Sequence, residues 1–492
     1  MSNNFQSTQY LATNLLIETL MLNLDTYDPG PKAIDTFILA QLETLMDKIQ
    51  QFLNDCTLVP EEDEQIRSKI MMYFYQQPNV VRCRICQKCL NEYGAVIDHI
   101  KMHERQNALN EKEPNPKFTS FIKKNCIPKS TDKMSKSMRK FLSKNPTTLV
   151  EGLIAECNYV QNDIDNERVL QNLEGCLKQH YPSVKCYPFG SRIVGTGSLT
   201  SDIDMFVDLQ NGYSGRSDNT APEELKETIE KIVTILRSTN DWSVNDIVLS
   251  ARVPLLRVIS SNHDNIHCDL TFSNGLAHRN SLLLQYMFRL QPTARQLVCY
   301  LKNWNRESCL NSYTLSLMVI FLYQCHKLLP SVAKLQEDAS NDMIIDGWNA
   351  GFATPTLEEL NLKLWQSSVP GLAYMFFEFY SFEGRYFSME TQVVCPFLGD
   401  LRVLKSSFDS PNYDKVPAQM ERLKRYMVDH QADTDTKRPF VYNKPFVVQD
   451  PFEHSHNVAK AIPVEIATRI MRSFELSLQS IANQKESKNL EN

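Results

Sequence analysis

Glycine is scarce in this chain, with 15 among 492 residues, and that scarcity points to a helix-rich protein. An excess of positive charge is also missing. The formal net charge of -6 argues against a protein held to nucleic acid by its overall charge, and leaves room only for a local basic groove. The opening stretch MSNNFQSTQY has no basic segment followed by an apolar run, so no secretory signal is read there. No apolar run reaches the roughly 20 residues that span a membrane. The longest candidate, LSLMVIFLYQC from Leu315 to Cys325, reads as a buried core helix, and no membrane partner is expected. Paired cysteines are not indicated either: the 13 cysteines are odd in number and scattered, which suggests reduced thiols in a cytosolic or nuclear compartment, with the cytoplasm the expected location. What remains is an ordinary globular composition, 42% hydrophobic and 22% charged, in a chain long enough for several domains.

Residues 1–80 carry a helical pattern, with Leu15, Leu16, Leu20, Ile38, Leu42 and Leu45 at apolar positions and a DPGP interruption from Asp28 to Pro31. Residues 81–107 contain CRICQKCLNEYGAVIDHIKMH. Two residues separate Cys83 from Cys86, twelve precede His99 and three more precede His103. Histidines at i and i+4 share a helix face, and the cysteine pair fits a tight knuckle, so these four residues are the expected ligands of a tetrahedral structural Zn2+. Leu90 and Val96 fall where such a finger keeps its small apolar core, whereas Cys89 is a bystander. The finger's own ligand, RNA or protein, stays open.

Residues 108–133 read as a basic linker. From Lys117 to Lys144 there are nine Lys or Arg residues against the single acid Asp132, a run that could touch a phosphate backbone or could simply be solvated. A domain boundary is expected near Pro128. Residues 134–165 are expected to be helices of a helical lobe, 166–280 a sheet-bearing domain inserted into it, 281–483 the rest of the helical lobe, and 484–492 a frayed polar tail. Within the inserted domain, TAPE at 220–223 opens a helix that turns Ile229, Ile232, Val233 and Leu236 inward, and RVPLLRVI and IHCDLTF have the composition of strands.

The chemistry concentrates in FGSRIVGTGSLTSDIDMFVDL, residues 189 to 209. In a strand, alternate side chains share a face, so Asp202 and Asp204 stand side by side while Ile203 faces the core. Two adjacent carboxylates repel, and water or a hard cation such as Mg2+ relieves the repulsion. Gly190 permits close backbone approach, and a helix beginning near Ser191 offers amide hydrogens and a hydroxyl to a phosphate. Asp269, in IHCDLTF, supplies a third carboxylate if its strand lies beside the first.

This stretch resembles the signature of the nucleotidyltransferase superfamily that includes DNA polymerase beta. Over roughly residues 140 to 475, ARVPLLRV, CDLTFSNGLAHRNSLLLQY, LKNWNRESCLNSYTLSLMV and QDPFEHSHNVAK resemble, in the same order, the terminal uridylyltransferases and noncanonical poly(A) polymerases. The resemblance implies a bilobed α/β (α+β) enzyme with a small mixed sheet domain and a larger helical domain. It implies two Mg2+ (or Mn2+) ions bridged by Asp202 and Asp204, with Asp269 on the ion that activates the RNA 3′-hydroxyl.

By the same resemblance, Asn280 contacts the ribose 2′-hydroxyl, Lys302 and Arg306 meet the β- and γ-phosphates, Ser312 adds a hydroxyl, and Tyr313 stacks on the base. His456 would donate to the 4-keto oxygen of uracil, with Asp450 and Glu453 holding the ring NH directly or through water. His454 is a neighbour. The chain departs from the pattern in RESCLN, which lacks a common Gly-Thr-Leu, and in Arg306, which stands where a lysine is usual.

The implied function is template-independent addition of uridylyl residues from UTP to an RNA 3′ end. ATP use, as in a cytoplasmic poly(A) polymerase, is the near alternative. A non-catalytic RNA-binding adaptor is the alternative of another class.

Overall fold

The computed structural model describes residues 81–82, 89–90, 134, 136–215, 222–248, 254–262, 265–305, 310–381, 386–409, 413–431, 440–462 and 464–490. The chain divides into two units, 1–133 and 134–492, so the break falls a few residues beyond the Pro128 expected from composition. In the first unit, β1 (Val81–Arg82) pairs antiparallel with β2 (Cys89–Leu90), placing Val81 opposite Leu90 and Arg82 opposite Cys89. The proposed ligands Cys83, Cys86, His99 and His103 lie outside the described residues.

The second unit begins with three helices. These are α1 (Lys136–Leu142), α2 (Pro146–Gln161) and α3 (Asp165–Lys178). Asn145 caps α2 by accepting from the Thr147 amide, and Pro146 occupies a first-turn position where its missing N–H costs nothing. Next come β3 (Lys185–Phe189), the single-turn α4 (Gly190–Val194) and β4 (Ile203–Asp208), followed by α5 (Pro222–Arg237). Strands β5 (Trp242–Val248), β6 (Leu255–Ser260) and β7 (Ile266–Thr271) complete a sheet of order β3-β4-β7-β6-β5. β4 and β7 run parallel and the other neighbours antiparallel, which gives the small mixed sheet expected of this fold class.

One face of that sheet is apolar. Ile203, Met205, Val207, Leu256, Val258, Cys268 and Leu270 are buried against Val169, Leu173 and Leu177 of α3 and against Ile229, Ile232, Val233 and Leu236 of α5. Alternation then sends the even-numbered residues of β4, Asp204 among them, to the opposite face. Parallel pairing of β4 with β7 is possible because α5, β5 and β6 lie between them in sequence, long enough to return the chain to the same end of the sheet.

The larger core is helical. It contains α6 (Leu276–Leu290), α7 (Pro292–Trp304), α8 (Ser312–Cys325), the short α9 (Val332–Leu335), α10 (Val369–Tyr380), and residues up to Ile481 of the last helix. Met138 and Leu142 of α1 and Val150 of α2 belong to this same core, although the sheet separates them from it in sequence. Every residue of α8 from Thr314 to Gln324 is buried, which accounts for the apolar run LSLMVIFLYQC. Among the described residues, no helix is long and apolar enough to cross a membrane.

A two-residue hairpin, β8 (Ile344–Ile345) and β9 (Trp348–Asn349), turns through Asp346 and Gly347, both at positive φ. After α11 (Glu421–Asp429), α12 runs from Val464 to Leu490. The tail expected to fray from Gln484 is therefore helical as far as Leu490. Once a long helix is nucleated, adding Gln, Lys and Glu residues costs little, and that favours continuation over fraying.

Candidate active site

Strand register brings the carboxylates together. Asp204 of β4 is the direct partner of Asp269 on the adjacent parallel strand β7, and Asp202 stands just before β4. Their proximity bears on the acidity of Asp204. Burial, then the charges of Asp269 and Asp202, push its pKa up to about 7. Asp269 is also raised by burial, against the opposing charge of Arg257. Arg257 Nε lies 3.5 Å from Asp269 Oδ1, and its Nη1 lies 3.6 Å from Asp246.

Among the described residues, no group of three or more His, Cys, Asp or Glu side chains is arranged so that it could hold a metal ion as it stands. The three carboxylates form an open, mutually repelling set, with Asp269 drawn toward Arg257. All-oxygen donors of one charge, one of them raised toward neutrality by burial and by its acidic neighbours, are chemically suited to a hard divalent cation.

The turn ahead of β4 is packed against these groups. Gly190 has φ +81°, and a Cβ there would collide with the Asp204 carboxylate. Its amide donates to Ser281 Oγ at 2.9 Å, which ties the start of α4 to α6. Arg192 is buried. It donates to the Ser201 carbonyl at 2.7 Å and to Asn166 Oδ1 at 2.9 Å, so it pins the loop that delivers Asp202. On α7, Lys302 Nζ donates to the Thr196 carbonyl at 2.5 Å. Burial lowers the Lys302 pKa, while the neighbouring Cys299, Cys157 and Asp204 oppose that shift.

Beside the carboxylates lies a cavity of about 660 Å³, a volume suited to a nucleotide-sized ligand. Gly190, Ser191, Asp204, Asn280, Ser312, Tyr313, Asp450, Glu453 and His456 all line it. Asp202, Asp269 and Lys302 border this region without lining the cavity, and Arg306 lies outside the described residues.

At the cavity's far end, Asp450 is 3% exposed and its carboxylate accepts from four donors. Oδ1 takes the amides of Phe452 (3.0 Å) and Glu453 (2.9 Å), and Oδ2 takes Asn280 Nδ2 (3.0 Å) and the Tyr313 hydroxyl (2.9 Å). A carboxylate has about four lone-pair sites. Without a nucleotide, these four donors occupy the acceptor sites through which Asp450 was expected to hold a base NH directly or through water. Burial, and then Asp450, raise the Tyr313 pKa well above its ordinary value.

His456 sits on the same loop. Its amide donates to the Glu453 carbonyl at 2.8 Å, its carbonyl accepts from the Asp450 amide at 2.9 Å, and its Nδ1 is 3.9 Å from Glu453 Oε2. Its ring is 19% exposed. His454 is instead packed 4.1 Å from the Phe397 ring, and burial holds its pKa at about 4, as befits a neighbour with no ligand role.

Sequence reasoning missed Arg192, which pins the loop before β4, and three residues that line the cavity, Ser281 and the hairpin residues Asp346 and Trp348. Asp346 accepts from Asn274, and its amide donates to the Ser214 carbonyl, so the hairpin tip is tied to the sheet-bearing part of the unit. The Asp-Gly turn was the available signal for that hairpin.

Residues 149–289 match the family model of the central palm domain of mitochondrial-like poly(A) RNA polymerase. The solved structure of mtPAP in complex with UTP superimposes with a TM-score of 0.52 at 18% identity, over 77% of each chain. This chain shares the fold of that protein. Terminal uridylyltransferase cid1 of Schizosaccharomyces pombe is 26% identical over 342 residues, 65% of this chain and 76% of that protein. The Speckle targeted PIP5K1A-regulated poly(A) polymerase of Danio rerio is 27% identical over 345 residues, 60% of this chain and 41% of that protein. Protein HESO1 of Arabidopsis thaliana is 25% identical over 341 residues, 64% of this chain and 58% of that protein. This chain thus spans well under two thirds of the latter two relatives.

Proposed function

We propose that this protein is a template-independent RNA 3′-terminal nucleotidyltransferase that adds uridylyl residues from UTP. The observation that carries the reading is the register of Asp204 against Asp269, with Asp202 alongside, at the edge of a nucleotide-sized cavity. The 3′-hydroxyl of RNA attacks the α-phosphorus, a new P–O bond forms, and the bond to the β-phosphate breaks to release pyrophosphate. Two divalent ions held by Asp202, Asp204 and Asp269 would supply activation of the hydroxyl and compensation of the leaving charge. The chain's own groups do the positioning. Lys302 and the first-turn amides of α4 face the triphosphate, Ser312 adds a hydroxyl, and Tyr313 offers a face to the base. Arg306 would add a second cation on the phosphate side.

His456 supports UTP because an imidazole N–H pairs with the 4-keto oxygen of uracil, whereas adenine presents an amino donor at the corresponding edge and leaves two donors facing. ATP remains the competing substrate, since the relatives bear the names of both uridylyltransferases and poly(A) polymerases. The N-terminal Cys83, Cys86, His99 and His103 would hold structural zinc in a module that captures RNA or a protein partner in the cytoplasm. Incubating the purified full chain with an oligoribonucleotide, Mg2+ and each NTP separately tests the proposal. Extension strongest with UTP is expected; extension strongest with ATP would replace uridylyl with adenylyl transfer.

A further inference from the structure

The buried amide of Asn280 has one end committed and one end open. Its Nδ2 donates to Asp450 Oδ2, and because an ionised carboxylate only accepts, the amide cannot be turned the other way round. The carbonyl Oδ1 must then point away from Asp450. That oxygen is buried without a hydrogen-bond partner, in a residue 8% exposed that lines the cavity. A buried acceptor in a ligand cavity calls for a ligand that brings a donor. Of the two sugars a nucleotide can carry, ribose has a 2′-hydroxyl that deoxyribose lacks, while both keep the 3′-hydroxyl.

We propose that Asp450 is a positioning residue for sugar selection: by locking the Asn280 amide with its oxygen toward the cavity, it makes the site demand a hydrogen-bond donor at the nucleotide's 2′ position. This rests on the nucleotidyl-transfer reading above. The lock is rigid from both sides. Asp450 Oδ1 is itself fixed by the amides of Phe452 and Glu453, and Oδ2 is shared with the Tyr313 hydroxyl. Asp450 therefore never touches the nucleotide, and acts through Asn280. A carboxylate that instead met the uracil ring NH would set base choice and leave sugar choice alone, so the two roles separate experimentally.

The test uses 2′-substituted UTP analogues on the unaltered full chain, with single-nucleotide extension of an oligoribonucleotide as readout. An acceptor-only oxygen at Asn280 predicts that 2′-amino-UTP, which keeps a donor, is used within a fewfold of UTP. It predicts that 2′-fluoro-UTP, which has none, falls at least tenfold, together with dUTP. Equal use of 2′-fluoro-UTP and UTP would overturn the proposal. In Asp450→Asn the amide can turn over, so the UTP to dUTP ratio of kcat/KM should fall at least tenfold while the UTP to CTP ratio holds within threefold. Loss of the UTP to CTP ratio with the sugar ratio intact would assign Asp450 to the base and overturn the proposal. In an Asn280→Ala background, Asp450→Asn should change the sugar ratio no further, and an additive loss would contradict action through Asn280. Failure of the wild-type chain to use any ribonucleotide would instead sink the underlying transferase reading.

Discussion

The two ends of the cavity are built on opposite electrostatic terms. At the sheet end three carboxylates stand together, and burial, then the charges of Asp269 and Asp202, drive Asp204 toward neutrality, with a pKa of about 7. At the base end, the single carboxylate of Asp450 is surrounded by four donors. On the proposed function, the first end would be completed by divalent cations. The second is complete before any ligand arrives, apart from the one oxygen of Asn280. Repulsion is tolerable where an ion will be bound, because it adds to the gain on binding, whereas a base-recognition surface works by holding donors and acceptors in place beforehand.

Removing a charge at the crowded end should have the largest effect and should move activity and stability in opposite directions. Asp204→Asn is expected to lower nucleotide incorporation by about 10³-fold or more, the scale of losing a principal electrostatic contact in the transition state. In the presence of a chelator at pH 8, the same variant should melt at a higher temperature than wild type. The sign follows from the raised pKa. Between the usual carboxylate range and about pH 7 the native state binds more protons than the unfolded chain, so Asp204 makes stability fall as pH rises through that window. Calorimetry with and without Mg2+ reads the effect; a lower melting temperature in the variant would break the comparison.

Gly190→Ala comes next. The added methyl group meets the Asp204 carboxylate and strains a backbone at φ +81°, and a displacement of about 1 Å costs about 10²-fold in rate. Single-turnover kinetics should show the loss in the chemical step. At the other end, His456→Ala should lower the UTP to ATP preference by about tenfold, as expected for one polar discriminating contact, with little change in total nucleotide use. Competition between the two nucleotides measures it.

The smallest effect lies on the flank of the cavity. His278 is held at about 4 by burial and then by the charges of Arg279 and Lys185, and its Nδ1 lies 2.7 Å from the Tyr213 hydroxyl. Between about pH 4 and its usual value of 6.5, the unfolded chain takes up a proton that the native imidazole refuses. Its contribution to stability is therefore full above pH 6.5 and is lost as pH falls toward 4. Denaturant titrations across that range should flatten in His278→Gln.

The sequence was most legible where one local rule decided the outcome. The strands β6 and β7, the inward face of α5 and the buried α8 follow from alternation, helical spacing and apolar content. Convergence of Asp269 on Asp204 required only that two strands be neighbours. The lock on Asn280 could not be read in the same way. It joins residues 170 positions apart, and no periodicity says which lone pair of a carboxylate is already taken. Arg192 is a surface-type residue by composition, yet burial and two hydrogen bonds make it the strut behind Asp202. The helical course of the C-terminal segment to Leu490 was missed because polarity was weighed above helix propensity.

The central claim is that Asp202, Asp204 and Asp269 together hold the divalent ions. Titrating Mn2+ into the full chain with a non-hydrolysable UTP analogue, and counting bound ions by electron paramagnetic resonance, tests it directly once zinc has been accounted for. Two Mn2+ ions per wild-type chain and one in Asp269→Ala are predicted; an unchanged count in that variant, or no bound Mn2+ in the wild type, would contradict the account.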